Sequence, residues 1–348
     1  MNTRKIQHTE AKDKAQMQDS YDHYIAIDWS KKVMAIARLT TMRREPTVIE
    51  RPADLKELRL YLSHLQGSKI ITVEETTSAH WLYLELRAYV DRIIVCDPYR
   101  NRLLSDGPKT DKIDAAKLCV LLRAGLLKEV FHRDDELYRL RRLVSAYEDL
   151  VKAGVRALNQ RSAVARAEGF PSDIPKETPL HFVVEHLDKS IALYDTAKAE
   201  YEKQFRALCR KNTFLKAQDK LPGIGIIGAV KILAYVVDAR RFPTAGHYLS
   251  YCGLVKLVKL SGQCSYGQRS PRHNHALKAV YKTAAMAAIA GQNPIREYYE
   301  YLLHKGVAEH NARNAVARYI AKVSYGMLKH GTEYQPYLWR KTETAQNP

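Results

Sequence analysis

Acidic residues are scarce in this chain. Only 38 Asp and Glu stand against 56 Lys and Arg among 348 residues, leaving a formal charge of +18 and a sequence pI near 9.5. That imbalance points to a polyanionic partner. Cysteine is scarce as well: Cys96, Cys119, Cys209, Cys252 and Cys264 are five, an odd number, with no CxxC spacing. This argues against a disulfide framework and for free thiols in a reducing compartment. Cys252, Cys264, His273 and His275 lack the close pairing of structural zinc ligands. No run approaches the roughly 18 apolar residues that cross a bilayer. Residues 1–20 are polar throughout, without the apolar core of a secretory signal. The expectation is a cytoplasmic protein, neither secreted nor membrane-bound.

What is present fits a globular chain of about two domains: 46% hydrophobic and 27% charged residues. The positive charge is concentrated. Residues 211–348 hold 20 basic and 7 acidic side chains, a net +13.

The first 20 residues read as a disordered leader. Strand-like runs follow at Tyr24–Asp28, Val33–Leu39 and Thr47–Ile49, then a helix from Asp54 with Leu55, Leu58, Leu62 and Leu65 at helical spacing. Lys69–Glu74 and Arg92–Cys96 are further strands, with helices at Trp81–Val90 and Asp111–Leu127. This order predicts a mixed α/β domain over 21–130 with a central sheet. Leu137, Leu140, Val144, Tyr147, Val151, Gly154 and Leu158 trace a heptad-like seam in a helical arm over 131–210, which His181–Leu208 completes. The seam fits an antiparallel arm, an oligomerisation coiled coil or an ordinary packed pair. A mainly helical domain follows over 211–335, then a tail over 336–348. Its start, Leu221-Pro222-Gly223-Ile224-Gly225, resembles a helix-hairpin-helix turn, where Gly223 and Gly225 would let backbone N–H groups approach a phosphate; a plain turn and cap is the simpler use. Lys256, Lys259, Arg269 and Arg272 flank a Gly/Ser-rich segment and are candidate nucleic-acid contacts.

Four acids stand out by position. Asp28 and Glu74 end strands, while Asp111 and Asp114 lie three apart at a helix start and so share a face. Carboxylates brought together repel unless cations bind them, and oxygen-only ligands favour Mg²⁺ or Mn²⁺. Two such ions can activate a nucleophile and stabilise a leaving oxygen in phosphoryl transfer. Singly, each acid would serve as a strand end or cap; the set of four carries the metal reading.

Asp28 in YIAIDWSKK, Glu74 in VEETT, and Asp111 with Asp114 in GPKTDKIDAAKL resemble the RuvC-like DEDD site of the insertion sequence 110 transposase family. LPGIGIIGAVKILAYVVDARRF and YLSYCGLVKLVKLSGQ are similar to that family's C-terminal domain. The resemblance implies an RNase H-like (RuvC-like) domain, a helical arm and a serine-bearing domain, with Ser261 in Leu260-Ser261-Gly262 as the matching serine. It implies a recombinase that excises and inserts a mobile element through a phosphoserine–DNA link, with Mg²⁺ or Mn²⁺ at Asp28, Glu74, Asp111 and Asp114. It further implies an oligomer, a dimer or tetramer, guided by an RNA from the element's non-coding end that pairs with donor and target DNA. A bacterial or archaeal, nucleoid-associated setting goes with it.

Without the family, Ser261 reads as a turn residue; a hydroxyl needs a base or metal to become a nucleophile. Ser265 and Ser270 are its neighbours and rivals, as Glu75 is for Glu74. Thr77 stands where the family commonly has Gly, and Ser270–His275 replaces a Lys-Arg-Gly-Asn-like segment, with Arg269 and Arg272 as substitutes. His273-Asn274-His275 and His310-Asn311-Ala312-Arg313 imitate HNH nuclease and tyrosine-recombinase strings; neither accounts for the four acids. A structure-specific nuclease, a DNA invertase and a non-catalytic nucleic-acid-binding protein are the alternatives. Tyr298, Tyr299, Tyr301, Tyr319 and Tyr325, interleaved with basic residues, are able to stack on bases or to form core.

Overall fold

The computed structural model describes residues 20–101, 110–132, 137–170, 174–262 and 264–341. All of the expected leader but residue 20, and the last seven residues of the tail, lie outside them. The chain forms two compact units that divide between residues 134 and 135.

Alternation of side chains builds the first unit. Its strands are β1 (His23–Trp29), β2 (Val33–Thr40), β3 (Thr47–Pro52), β4 (Lys69–Glu74) and β5 (Arg92–Cys96), in the order β3-β2-β1-β4-β5. β1, β2 and β3 run antiparallel, whereas β4 and β5 run parallel to β1. Helices α1 (Leu55–His64), α2 (Ala79–Leu86) and α3 (Asp111–Arg123) flank the sheet. Ile25, Ile27, Ile71 and Val73 pack on one face with Leu58 and Leu62 of α1 and Leu82 and Leu86 of α2. Tyr24, Ala26, Ala35, Ala37 and Ile70 pack on the other with Ala115, Leu118, Cys119 and Leu122 of α3. The three alanines let α3 lie close, and the Cys119 thiol reaches the Tyr24 carbonyl at 3.2 Å. A mixed sheet with helices on both faces is the expected RNase H-like architecture.

In the second unit, α4 (Leu137–Ala167) and α5 (Leu180–Lys211) pair antiparallel. The Tyr147 hydroxyl donates to Glu202 at 3.1 Å and Arg161 meets Asp188 at 2.5 Å, so contacts near each end of the pair keep one register. The seam's glycine makes room for a ring: a Cβ on Gly154 would lie 3.4 Å from Tyr194. Val144, Tyr147 and Phe205 enter the main core of the unit, with α6 (Thr213–Asp219), α7 (Gly225–Val236), α8 (Ala245–Tyr251), α9 (His275–Ala290), α10 (Pro294–His304) and α11 (Glu309–His330). A buried polar chain crosses that core. Tyr248 and Tyr281 share a hydroxyl contact of 2.5 Å, Tyr281 lies 2.9 Å from Ser324, and Ser324 donates to Gln218 at 2.7 Å. A two-stranded hairpin, β6 (Leu257–Ser261) and β7 (Cys264–Arg269), completes the unit. No helix of the described residues is long and apolar enough to cross a membrane.

Candidate functional site

Register brings two of the four acids together. Ile27 of β1 pairs with Val73 of parallel β4, so Asp28 and Glu74, one step on, stand side by side at the carboxyl ends of neighbouring strands. Strand spacing sets their backbones about 4.8 Å apart. Both share the face of Tyr24, Ala26 and Ile70, which is the α3 face, and both are half-buried.

Helix α3 carries the other two, and its direction follows from its ends. At its C-terminus Arg123 donates to the Arg43 carbonyl at 2.5 Å, beyond Thr40, the partner of His23 at the start of β1. At its N-terminus Lys112 pairs with Glu50 at 2.8 Å. Glu50 opposes Ala35, and Ala35 opposes Asp28. The first turn of α3 therefore lies toward the row of residues that contains Asp28 and Glu74. The buried stripe of the helix, Ala115, Leu118, Cys119 and Leu122, continues backward at helical spacing into Asp111 and Asp114. The Thr110 hydroxyl caps this turn, accepting from the Ile113 amide at 3.3 Å. Asp114 is half-buried and Asp111 exposed. Among the described residues, no three His, Cys, Asp or Glu groups converge closely enough to hold a metal ion. The donor set itself, four carboxylates and no sulfur or imidazole, has the chemistry that Mg²⁺ and Mn²⁺ select.

Ser261 belongs to the second unit. It is the last residue of β6, pairs with Cys264 across the hairpin tip, and precedes Gly262, whose φ of +60° a glycine adopts without strain. Lys256 and Arg269 lie at the opposite end of this hairpin, where Leu257 pairs with Arg269, and both are exposed. Lys259 falls within β6 beside a bulge, and Arg272 is exposed just before α9. Gly223, in the turn between α6 and α7, and Gly225, the first residue of α7, take φ of +87° and +62°. A Cβ on Gly223 would come within 2.1 Å of the Ala284 carbonyl of α9, so packing alone requires that glycine; a Cβ on Gly225 would meet no atom of the described residues within 4 Å.

Known protein families match two stretches of the chain. Residues 25–167 match a family described as transposase of the DEDD, IS110 type, and residues 217–300 match the transposase IS116/IS110/IS902 family. The chain belongs to the insertion sequence 110 transposase family. The chain is 31% identical over 173 residues to an insertion element IS110 protein of 43.6 kDa from Streptomyces coelicolor, covering 49% of this chain and 43% of that one. It is 23% identical over 164 residues to an IS116 protein from Streptomyces clavuligerus, covering 47% and 41%, and 26% identical over 178 residues to an IS900 protein from Mycobacterium paratuberculosis, covering 50% and 44%. The matches thus span less than half the length of these relatives.

In this transposase-family chain, one cluster beside Glu74 escaped the sequence reading. Glu75, the alternative ligand, accepts from His132 Nε2 at 2.5 Å, and His132 Nδ1 lies 3.1 Å from Nδ1 of His80 on α2. His80 is buried and stacks near Tyr83. Glu75 is therefore committed to a histidine pair, which separates its role from that of Glu74. Two residues 57 apart in sequence leave no local spacing signal; the only clue was an acid next to a strand-end acid.

Proposed function

We propose that this chain is a DNA transposase or recombinase that excises and inserts a mobile element, with a divalent-metal site at Asp28, Glu74, Asp111 and Asp114 and Ser261 as nucleophile. The observation that carries the reading is the pairing of Asp28 and Glu74 on adjacent strand ends, with the acid-tipped end of α3 directed to the same row. When bound, Mg²⁺ or Mn²⁺ would supply charge neutralisation at the phosphate and activation of an oxygen nucleophile. The chain's own groups do the rest. The sheet fixes two carboxylates, Thr110 holds the helix turn bearing the other two, and Ser261 stands at the tip of the β6–β7 hairpin. In the covalent step the Ser261 Oγ forms a bond to a DNA phosphorus while one bridging P–O bond of that phosphate breaks. The hydroxyl proton leaves Oγ, and the departing strand end takes one up. Lys256, Lys259, Arg269, Arg272, Gly223 and Gly225 are assigned to nucleic-acid contacts. The family resemblance extends the proposal to a guide RNA from the element's non-coding end, to donor and target DNA as paired substrates, and to a homo-oligomer.

The test is a denaturing gel for a protein–DNA adduct. Wild type, Ser261→Ala and Asp28→Asn are expressed with the element's flanking sequence and given labelled junction DNA with Mg²⁺. An adduct in wild type alone is expected. Cleavage that produces free ends, with no adduct and no effect of Ser261→Ala, would replace this reading with a hydrolytic nuclease.

A further inference from the structure

The tyrosine-rich helices near the C-terminus have no part in the chemistry above. Within the second unit, α10, α11 and the helical turn Leu338–Lys341 line an open cleft of about 750 Å³, inside the roughly 300–1,000 Å³ range of small-molecule sites. One wall is aromatic. Trp339 meets both Tyr298 and Tyr301, with ring centroids 5.6 and 5.3 Å away and planes tilted by 39° and 35°. The Tyr301 hydroxyl is buried and finds no hydrogen-bond partner among the described residues, a vacancy that folded proteins seldom leave.

The lining also includes a single row along α11. Arg318, Lys322, Gly326 and His330 follow one another at intervals of four, and the three side chains are exposed. Arg318 and Lys322 have no acidic partner among the described residues, while the acid in the lining, Glu333, is engaged by Lys220 at 2.9 Å. The fourth member of the row is the informative one. Gly326 sits well inside α11, where glycine is the poorest helix former after proline. Apart from the backbone of its own helix, no atom of the described residues lies within 4 Å of the Cβ it lacks. Unlike Gly223, it is not required by packing among the described residues; its missing side chain keeps the cleft clear.

We propose that this cleft binds one unstacked nucleobase of a single DNA strand. The base lies against the Tyr298–Trp339–Tyr301 wall over Gly326, and the flanking phosphates meet Arg318 and Lys322. The choice of DNA as the polymer rests on the reading in the preceding section; the cleft itself requires only an aromatic base beside a phosphate.

The experiment uses the full chain without metal, so it is independent of strand transfer. Three labelled single strands of equal length are compared: DNA carrying 2-aminopurine, the same DNA with abasic sites, and RNA of the same sequence. Quenching of 2-aminopurine is expected on wild type, together with tighter binding of the base-bearing strand than of the abasic one. Gly326→Leu should weaken the base-bearing strand roughly ten-fold, one stacking contact's worth, and leave the abasic strand unchanged. Gly326→Ala should raise the melting temperature yet still weaken base-dependent binding, an outcome that a merely structural glycine does not give, and it decides the matter should the leucine variant fail to fold. Equal effects on abasic and base-bearing strands, or no effect of either variant, would overturn the proposal. A stronger, variant-sensitive preference for RNA would overturn the assignment to DNA, and loss of self-association in place of DNA binding would make the cleft a protein interface. Base-dependent binding here, with free ends and no Ser261 adduct in the Mg²⁺ gel described above, would overturn the transposase reading and leave the cleft standing.

Discussion

Cys264 differs from its four fellow cysteines in being exposed, at the hairpin position opposite Ser261. Burial pushes the Cys119 and Cys252 thiols up to about 12 and raises that of Cys209, so these groups hold no thiolate near neutral pH. Cys96 is buried as well. A maleimide applied to native protein near neutral pH is expected to add one label, at Cys264, read by mass spectrometry. Bound DNA should slow that labelling if the Ser261 tip meets the strand. Several labels on the folded chain would contradict the packing described above, and labelling indifferent to DNA would count against the hairpin as the site of attack. Glu75 teaches a related point at the same scale. One position from Glu74 it meets a different set of neighbours, because its carboxylate is taken up by His132.

The elements of the first unit were legible because each strand is a β-branched run and each helix an apolar stripe. Two strands also end on acids, so Asp28 and Glu74 could be singled out before any pairing was known. Their adjacency could not, since it depends on β4 lying parallel beside β1, a long-range choice with no local marker. The spacing of Asp111 and Asp114 was readable in the same way, but the direction of α3 over the sheet needed the Lys112–Glu50 and Arg123–Arg43 contacts. Gly306, with φ of +78°, separates α10 from α11 inside the mainly helical domain expected over 211–335, a break that no periodicity marks. The cleft is assembled from α10, α11 and the turn at Leu338–Lys341, three segments that no motif unites. In the second unit, helix packing is fixed by the polar chain from Tyr248 to Gln218. Tyr281→Phe would leave the Tyr248 hydroxyl and Ser324 short of a buried partner, at a cost of about 1–3 kcal/mol. A fall in melting temperature of several degrees is the expected result; an unchanged value would mean that the chain of hydroxyls contributes nothing to stability.

For the whole molecule, the dominant quantity is charge. A net +13 over residues 211–348 predicts nucleic-acid affinity that falls steeply with salt as condensed counterions are released. Replacing Lys256 and Arg269 together by Ala should flatten the plot of log affinity against log salt by roughly one unit for each side chain that meets a phosphate. A slope equal to that of wild type would remove the hairpin base from the binding surface. The α4–α5 pair adds a dimension of its own. Val151 is packed against the main core, whereas Val164, Ala165, Ile174 and Val184 form a separate small core at the far end. Between Val151 and Ala167 the helix advances about 24 Å at 1.5 Å per residue. Two paired helices with a packed tip make a spar: bending it would strain two hydrogen-bond ladders at once. Whatever the tip touches is held at a set remove from the core of its own unit, so this part of the protein works as a ruler.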